Sequence, residues 1–301
     1  MHIDLIGFPM DLGANRRGVG MGVAALRIAG IRDRLTALGY TVDDRGDVLV
    51  PNREDQAVDN VKLKFMPQIL TASQRLAKLV EASLMHSHLP LCLGGDHSIA
   101  LGSIAGLAAA CKRKELTPGL IWIDAHPDVN TDQTTPSGNI HGMALSASLG
   151  LGHQDLVRFY SPGPKIAPEN CALIGVRSID PLEKHNIREL GTQVYTMTDI
   201  DRQGIGAVIG QALDCMIGRV DCLHVSFDLD SLDPSVAPGV GTPVPGGLTY
   251  REAHLIMESV AETGLIASMD VAEVNPVLDV KNQSADVAAG IVASCLGKRI
   301  L

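Results

Sequence analysis

The chain has 301 residues, 46% hydrophobic and 20% charged, with a formal net charge of -9. That composition can bury a large core, and an acidic surface without a dense Lys/Arg block argues against nucleic acid as a partner. No apolar run approaches the roughly 18 residues of a membrane span, and the start MHIDLIGF has no basic targeting segment, so a cytoplasmic protein is expected.

In chain order, β-rich apolar runs occupy 3–8, 89–93, 120–123, 172–176, 193–196, 222–227 and 266–271. Most are apolar on both faces, as buried strands are. Helical periodicity fills 24–38, 61–85, 98–111, 204–216, 250–263 and 285–296. The alternation predicts an α/β fold, a three-layer αβα domain with a mostly parallel sheet. Polar stretches at 51–60 and 161–168 are too short for interdomain linkers, so a single domain over 1–301 is expected. The six cysteines, Cys92, Cys111, Cys171, Cys215, Cys222 and Cys295, are scattered, with no CxxC pair, and read as reduced core residues.

Parallel sheets bind ligands beyond the carboxyl ends of their strands, and the polar clusters sit there. One strand runs into Gly94-Gly95-Asp96-His97, another into Asp124-Ala125-His126-Pro127-Asp128, a third into Asp228-Leu229-Asp230. Spacing of two places Asp124, His126 and Asp128 on one side of an extended backbone, and Asp228 with Asp230 likewise. Any one of these acids alone would read as a helix cap or turn former. Four carboxylates gathered at strand tips would repel one another unless cations neutralised them. Oxygen-rich ligation with few imidazoles and no thiolate favours Mn²⁺ ahead of Zn²⁺. Two ions, roughly 3.5 to 4 Å apart, fit the ligand count and would generate a bridging hydroxide as the nucleophile.

These residues and their contexts resemble the ureohydrolase family, and its arginase branch in particular. The segments GGDHSIALGS, DAHPDVN, SGNIHGM, SFDLDSLDPSVAPGVGTPVPGGLTYREA and MDVAEVNP stand in the family's order across essentially the whole chain. The resemblance implies one manganese held by His97, Asp124, Asp128 and Asp228, and a second by His126, Asp124, Asp228 and Asp230. It implies hydrolysis of L-arginine to L-ornithine and urea, with Asp128, His141 and Glu273 as the catalytic groups. Glu273 would accept the guanidinium fork, Thr242 would add a hydrogen bond, and His141 would shuttle the proton to the departing amine. At the amino acid end, Asn130, Thr135, Ser137 and Asn139 would meet the carboxylate, Asp180 the α-ammonium, and Glu183 would assist through water. Ser178 departs from the pattern, standing where animal members have Asp. A homo-trimer or homo-hexamer is implied as well. The remaining histidines, His2, His86, His88, His153, His185, His224 and His254, have no such context and are left without a role.

Three alternatives remain. Agmatinase or guanidinobutyrase would share metals and mechanism and differ in substrate. A deacetylase of related fold would use one zinc. A non-catalytic paralogue would have lost a ligand, whereas all six ligands stand in the sequence.

Overall fold

A computed structural model describes residues 1–300. Strand β1 (His2–Phe8) is followed by helices α1 (Gly22–Ile28) and α2 (Ile31–Ala37) and by β2 (Thr41–Asp47). Helix α3 (Met66–Met85) leads to β3 (Leu89–Gly94), and α4 (Ile99–Lys114) to β4 (Pro118–Ile123). The short α5 (Ala144–Ser148) and α6 (Gln154–Val157) precede β5 (Cys171–Val176); α7 (Glu183–Leu190) precedes β6 (Gln193–Thr196). Helices α8 (Met197–Gln203) and α9 (Ile205–Asp214) lead to β7 (Cys222–Asp228), α10 (Tyr250–Glu262) leads to β8 (Ile266–Ala272), and α11 (Gln283–Cys295) follows.

The strands form one eight-stranded sheet in the order β2-β1-β3-β8-β7-β4-β5-β6, and every pairing is parallel. Alternation along each strand feeds two cores, one on each face. Val225 and Phe227 of β7 and Ile121 and Ile123 of β4 pack with side chains of α1, α2, α9, α10 and α11. Leu120 and Trp122 of β4 and Cys92 of β3 pack with side chains of α3, α4 and α5. This is the three-layer αβα arrangement that the alternation of strands and helices predicts.

All seven expected strands form, within one or two residues of their expected bounds. Strand β2 escapes sequence reading because Thr41–Asp47 is polar and mostly exposed, with four acidic or basic side chains in seven residues. It lies at the sheet edge, where only one face and one side need partners. The helix expected over 24–38 breaks at Gly30, whose φ of 73° belongs to the left-handed region that glycine adopts without penalty. The helix expected from residue 61 begins at Met66, with Pro67 in its first turn, where a missing N–H is harmless. Among the described residues no helix is long and apolar enough to cross a membrane.

Two substitutions separate core burial from helix capping. Phe227 is fully buried, so Phe227→Ala should destabilise the fold by about 3–5 kcal/mol. Thr249 caps α10 in a reciprocal capping box with Glu252, and Thr249→Ala should cost only about 1 kcal/mol. Urea denaturation of both variants checks the ranking; equal losses would contradict it.

Candidate metal centre and the cavity above it

Four neighbouring strands, β3, β8, β7 and β4, deliver the acidic and imidazole groups at their carboxyl ends. His97 lies just beyond β3, Asp124 directly follows β4, Asp228 ends β7, and Glu273 directly follows β8. All four are buried.

Two groups of ligand type share Asp124. In one, His97 Nδ1 lies 3.1 Å from Asp124 Oδ2, 3.0 Å from Asp228 Oδ2 and 3.3 Å from Asp128 Oδ2. In the other, His126 Nδ1 lies 3.5 Å from Asp124 Oδ1 and 3.1 Å from Asp230 Oδ2. Asp124 thus turns one oxygen to each histidine. Asp228 stands in the first group; its Oδ1 accepts the Asp230 N–H at 2.7 Å, which makes it at once the cap of the turn Leu229–Ser231 and a candidate ligand. The cap role weighed against metal ligation is therefore satisfied by one oxygen and leaves the other free.

A metal fits these residues on one internal observation. His97 Nδ1 is buried and has no hydrogen-bond partner among the described residues, although three carboxylate oxygens converge on it. Donors arranged so that their lone pairs meet at a point, without hydrogen bonds between them, suit a hard divalent cation. The electrostatics of the protein without metal point the same way. Burial, helped by Asp230 and Asp124, pushes the Asp228 carboxyl well above the usual range. Burial would lower His126, but Asp230 and Asp124 outweigh it and hold the imidazole at about 12. Burial would likewise lower His97, and Asp124, Asp128 and Asp228 raise it well above its ordinary value. Protons take the place that cations would relieve.

Local backbone geometry serves this convergence. Asp128 and Glu273 adopt φ of 50° and 63°, a left-handed conformation uncommon for these residues and typical of strained functional positions. Arg177, at the end of β5, donates to the carbonyls of Asp230 at 2.8 Å, Ser231 at 3.0 Å and Val244 at 2.7 Å. It cinches the loop carrying Asp230 to the loop carrying Thr242.

Above the centre lies a cavity of about 120 Å³, whose lining joins the candidate ligands His126, Asp128, Asp228 and Asp230 to His141, Thr242, Asn130, Thr135, Ser137, Asn139, Ser178, Asp180 and Glu183. Thirteen of its fourteen walls are polar side chains, which suits a charged, hydrogen-bonding ligand. Asn130 Nδ2 donates to Asp180 at 2.9 Å. Thr242 donates to Asp230 at 2.7 Å, leaving its oxygen free to accept. Glu183, expected to assist a ligand through water, is buried and accepts the backbone N–H groups of Val129 and Asp180, each at 3.1 Å. Burial pushes its carboxyl up to about 8. Its contribution is to join the two cavity loops.

Glu273 does not line the cavity. Its Oε1 meets His141 Nδ1 at 3.1 Å and accepts the His97 N–H at 3.1 Å, while Oε2 is buried without a partner among the described residues. Burial would lower His141, yet Glu273 and Asp128 raise it to about 9.

Sequence reasoning left His224 without a role, and the structure gives it one. His97 Nε2 lies 2.8 Å from Ser226 Oγ, which donates to Asp270 at 2.7 Å, and Asp270 in turn meets His224 Nε2 at 2.9 Å. Ser103 also donates to Asp270. The signal was present: His224, Ser226 and Asp228 alternate along β7 and so share one face. A buried polar file leading to a ligand fixes which ring nitrogen faces the metal.

The arginase family model matches residues 1–297. Among curated proteins, an arginase of Bacillus caldovelox is 48% identical over 99% of this chain and 99% of its own, and one of Bacillus subtilis is 48% identical with the same coverage. Among solved structures, the native Bacillus caldovelox arginase superposes with a TM-score of 0.95 at 48% identity, covering 99% of both chains. An Entamoeba histolytica arginase in complex with L-ornithine gives 0.90 at 30% identity, with 99% of both chains covered.

Manganese should raise the melting temperature of the purified protein, because a ligand that binds only the folded state stabilises it. Asp124→Ala should abolish that rise. Ser226→Ala should keep it but require about 10–100-fold more metal. An unchanged manganese response in Asp124→Ala contradicts the shared position of this carboxylate.

Proposed function

The chain belongs to the arginase family, and on that premise we propose that it hydrolyses the guanidinium group of L-arginine to L-ornithine and urea with two manganese ions in its site. The observation that carries this reading is the division of Asp124 between two histidine and carboxylate groups, one oxygen to each. His97, Asp124, Asp128 and Asp228 would hold one ion, and His126, Asp124, Asp228 and Asp230 the other. When bound, the pair would supply positive charge that lowers the pKa of water in the site, so that a hydroxide nucleophile would be available near neutral pH.

The chain's own groups bind and orient the substrate. A guanidinium is a poor electrophile because its charge spreads over three nitrogens, so its carbon must be held in place. Glu273, buried behind the cavity-lining His141, would accept a guanidinium N–H at Oε2, which has no partner among the described residues, and the Thr242 oxygen would accept another. At the other end, the hydroxyls of Thr135 and Ser137 and the Asn139 amide suit the α-carboxylate, and Asp180 suits the α-ammonium. Asn130, already tied to Asp180, sets the position of that acid.

Release of ornithine requires a proton on the departing amine. Against burial, Glu273 raises His141 to about 9, and the imidazole lines the cavity; both support a reading in which His141 would hold that proton and give it up to the amine. The solved Entamoeba histolytica arginase carries L-ornithine, the product expected here.

Urea release from L-arginine and from agmatine, with manganese added and removed, tests the reading. Arginine should be strongly preferred and activity should vanish on chelation; comparable turnover of agmatine overturns the substrate. Asp180→Ala should raise KM for arginine and leave that for agmatine nearly unchanged. In His141→Ala, turnover should fall by about 100-fold or more while metal content stays intact, and loss of metal from this variant would refute the separation of roles.

A further inference from the structure

The face of β7 that carries His224, Ser226 and Asp228 begins with Cys222. Helix α4 lies over this face, and the two meet along their length: Ser103 sits at 3.4 Å from His224 Nε2, and Cys111, in the penultimate turn of α4, places its Sγ 3.2 Å from Cys222 Sγ. Both thiols are free and nearly buried, 3% and 6% exposed. No other part of the proposed reaction uses them, and the scattered spacing of the cysteines gives no hint that two of the six would meet.

We propose that Cys111 and Cys222 are a reversible dithiol that closes to an intrachain disulfide on oxidation by a peroxide, stapling the amino end of β7 to the carboxyl end of α4. Closing the bond needs the sulfurs to approach by about an ångström, within reach of small side-chain rotations. Either thiol can donate to the other and leave its partner as the attacking sulfur, and Lys114 favours the thiolate form of both. The course with Cys222 as the attacker runs through its thiolate. The thiolate attacks one peroxide oxygen, the O–O bond breaks, and the displaced hydroxide takes up a proton to become water, leaving a sulfenic acid on Cys222. Cys111 sulfur then attacks Cys222 sulfur, the S–O bond breaks, and the leaving hydroxide takes the Cys111 proton as a second water. Two thiols lose two electrons and two protons in all, and the peroxide is reduced to two waters. A small dithiol reverses the bond by exchange. The pair lies close to the surface: Asp221, next to Cys222 in the chain, is exposed and accepts the N–H of exposed Thr117 at 2.7 Å, and a peroxide is little larger than water.

The pair sits at the opposite end of β7 from Asp228, so closure leaves the cavity intact. Its effect falls on the unfolded chain, where the bond closes a loop of about 110 residues.

The test treats the full-length protein with hydrogen peroxide, alkylates remaining thiols and maps peptides without reduction. The Cys111 and Cys222 peptides should be found joined, and should separate with dithiothreitol. The oxidised protein should melt about 5 °C higher with its urea release unchanged. Cys111→Ala and Cys222→Ala should each abolish both the link and the shift. Should either fail to fold, the map of the unaltered chain decides alone, and Cys215→Ser, which removes the exposed thiol, should keep the link. Recovery of Cys111 and Cys222 as separate alkylated thiols or sulfinic acids, or joined to other cysteines, overturns the proposal.

Discussion

Mutual repulsion among Asp124, Asp128, Asp228 and Asp230 is the constraint around which this molecule is arranged. All four are buried within reach of two imidazoles, and two protonated histidines cannot balance four carboxylates. Such a group persists in a folded protein only if the scaffold is stiff and protons or cations relieve the repulsion. The scaffold answers with position: the groups sit at the ends of three central strands, β3, β7 and β4, each paired on both sides. It also answers with hydrogen bonds. One oxygen of each of three acids accepts a main-chain N–H, His126 to Asp124 at 2.7 Å, Asp230 to Asp228 at 2.7 Å and Ala125 to Asp230 at 3.3 Å. The second oxygen of each is thereby aimed inward.

Rigidity continues below the centre. The Ser226, Asp270 and His224 file under His97 is a hydrogen-bonded polar network in the middle of an otherwise apolar layer, with every named member fully buried. A network of this kind is unfavourable unless each member is satisfied, and when satisfied it specifies a single geometry. The close sulfurs of Cys111 and Cys222 lie at the far end of the same face, so one strand carries ligand chemistry at its tip and thiol chemistry at its foot. Above the centre, flexibility is limited by Glu183 and Arg177, which bind loops through main-chain groups.

Much of this was legible in residue order. Apolar runs buried on both faces revealed seven strands, and Asp and His at alternate positions after them marked the sheet edge that carries the site. What escaped did so for physical reasons. Strand β2 is polar because an edge strand buries little. The role of His224 was hidden because a lone histidine in a strand has many uses, and only the packing of strand β8 and helix α4 shows that Asp270 and Ser103 complete it. Glu183 lines the cavity, as the resemblance implies, but the main-chain donors of Val129 and Asp180 that it accepts belong to packing and leave no mark in the sequence. Cys111 and Cys222 are 111 positions apart, and proximity over such a separation belongs to packing alone.

Cations that complete the charge balance at the tips of β3, β4 and β7 are the central requirement of the proposed chemistry. Elemental analysis of the protein, dialysed after loading with manganese and zinc in competition, addresses this directly. Two manganese ions per chain, with none retained once Asp124 is replaced by alanine, is the result expected; a single zinc per chain in a fully active enzyme would contradict it.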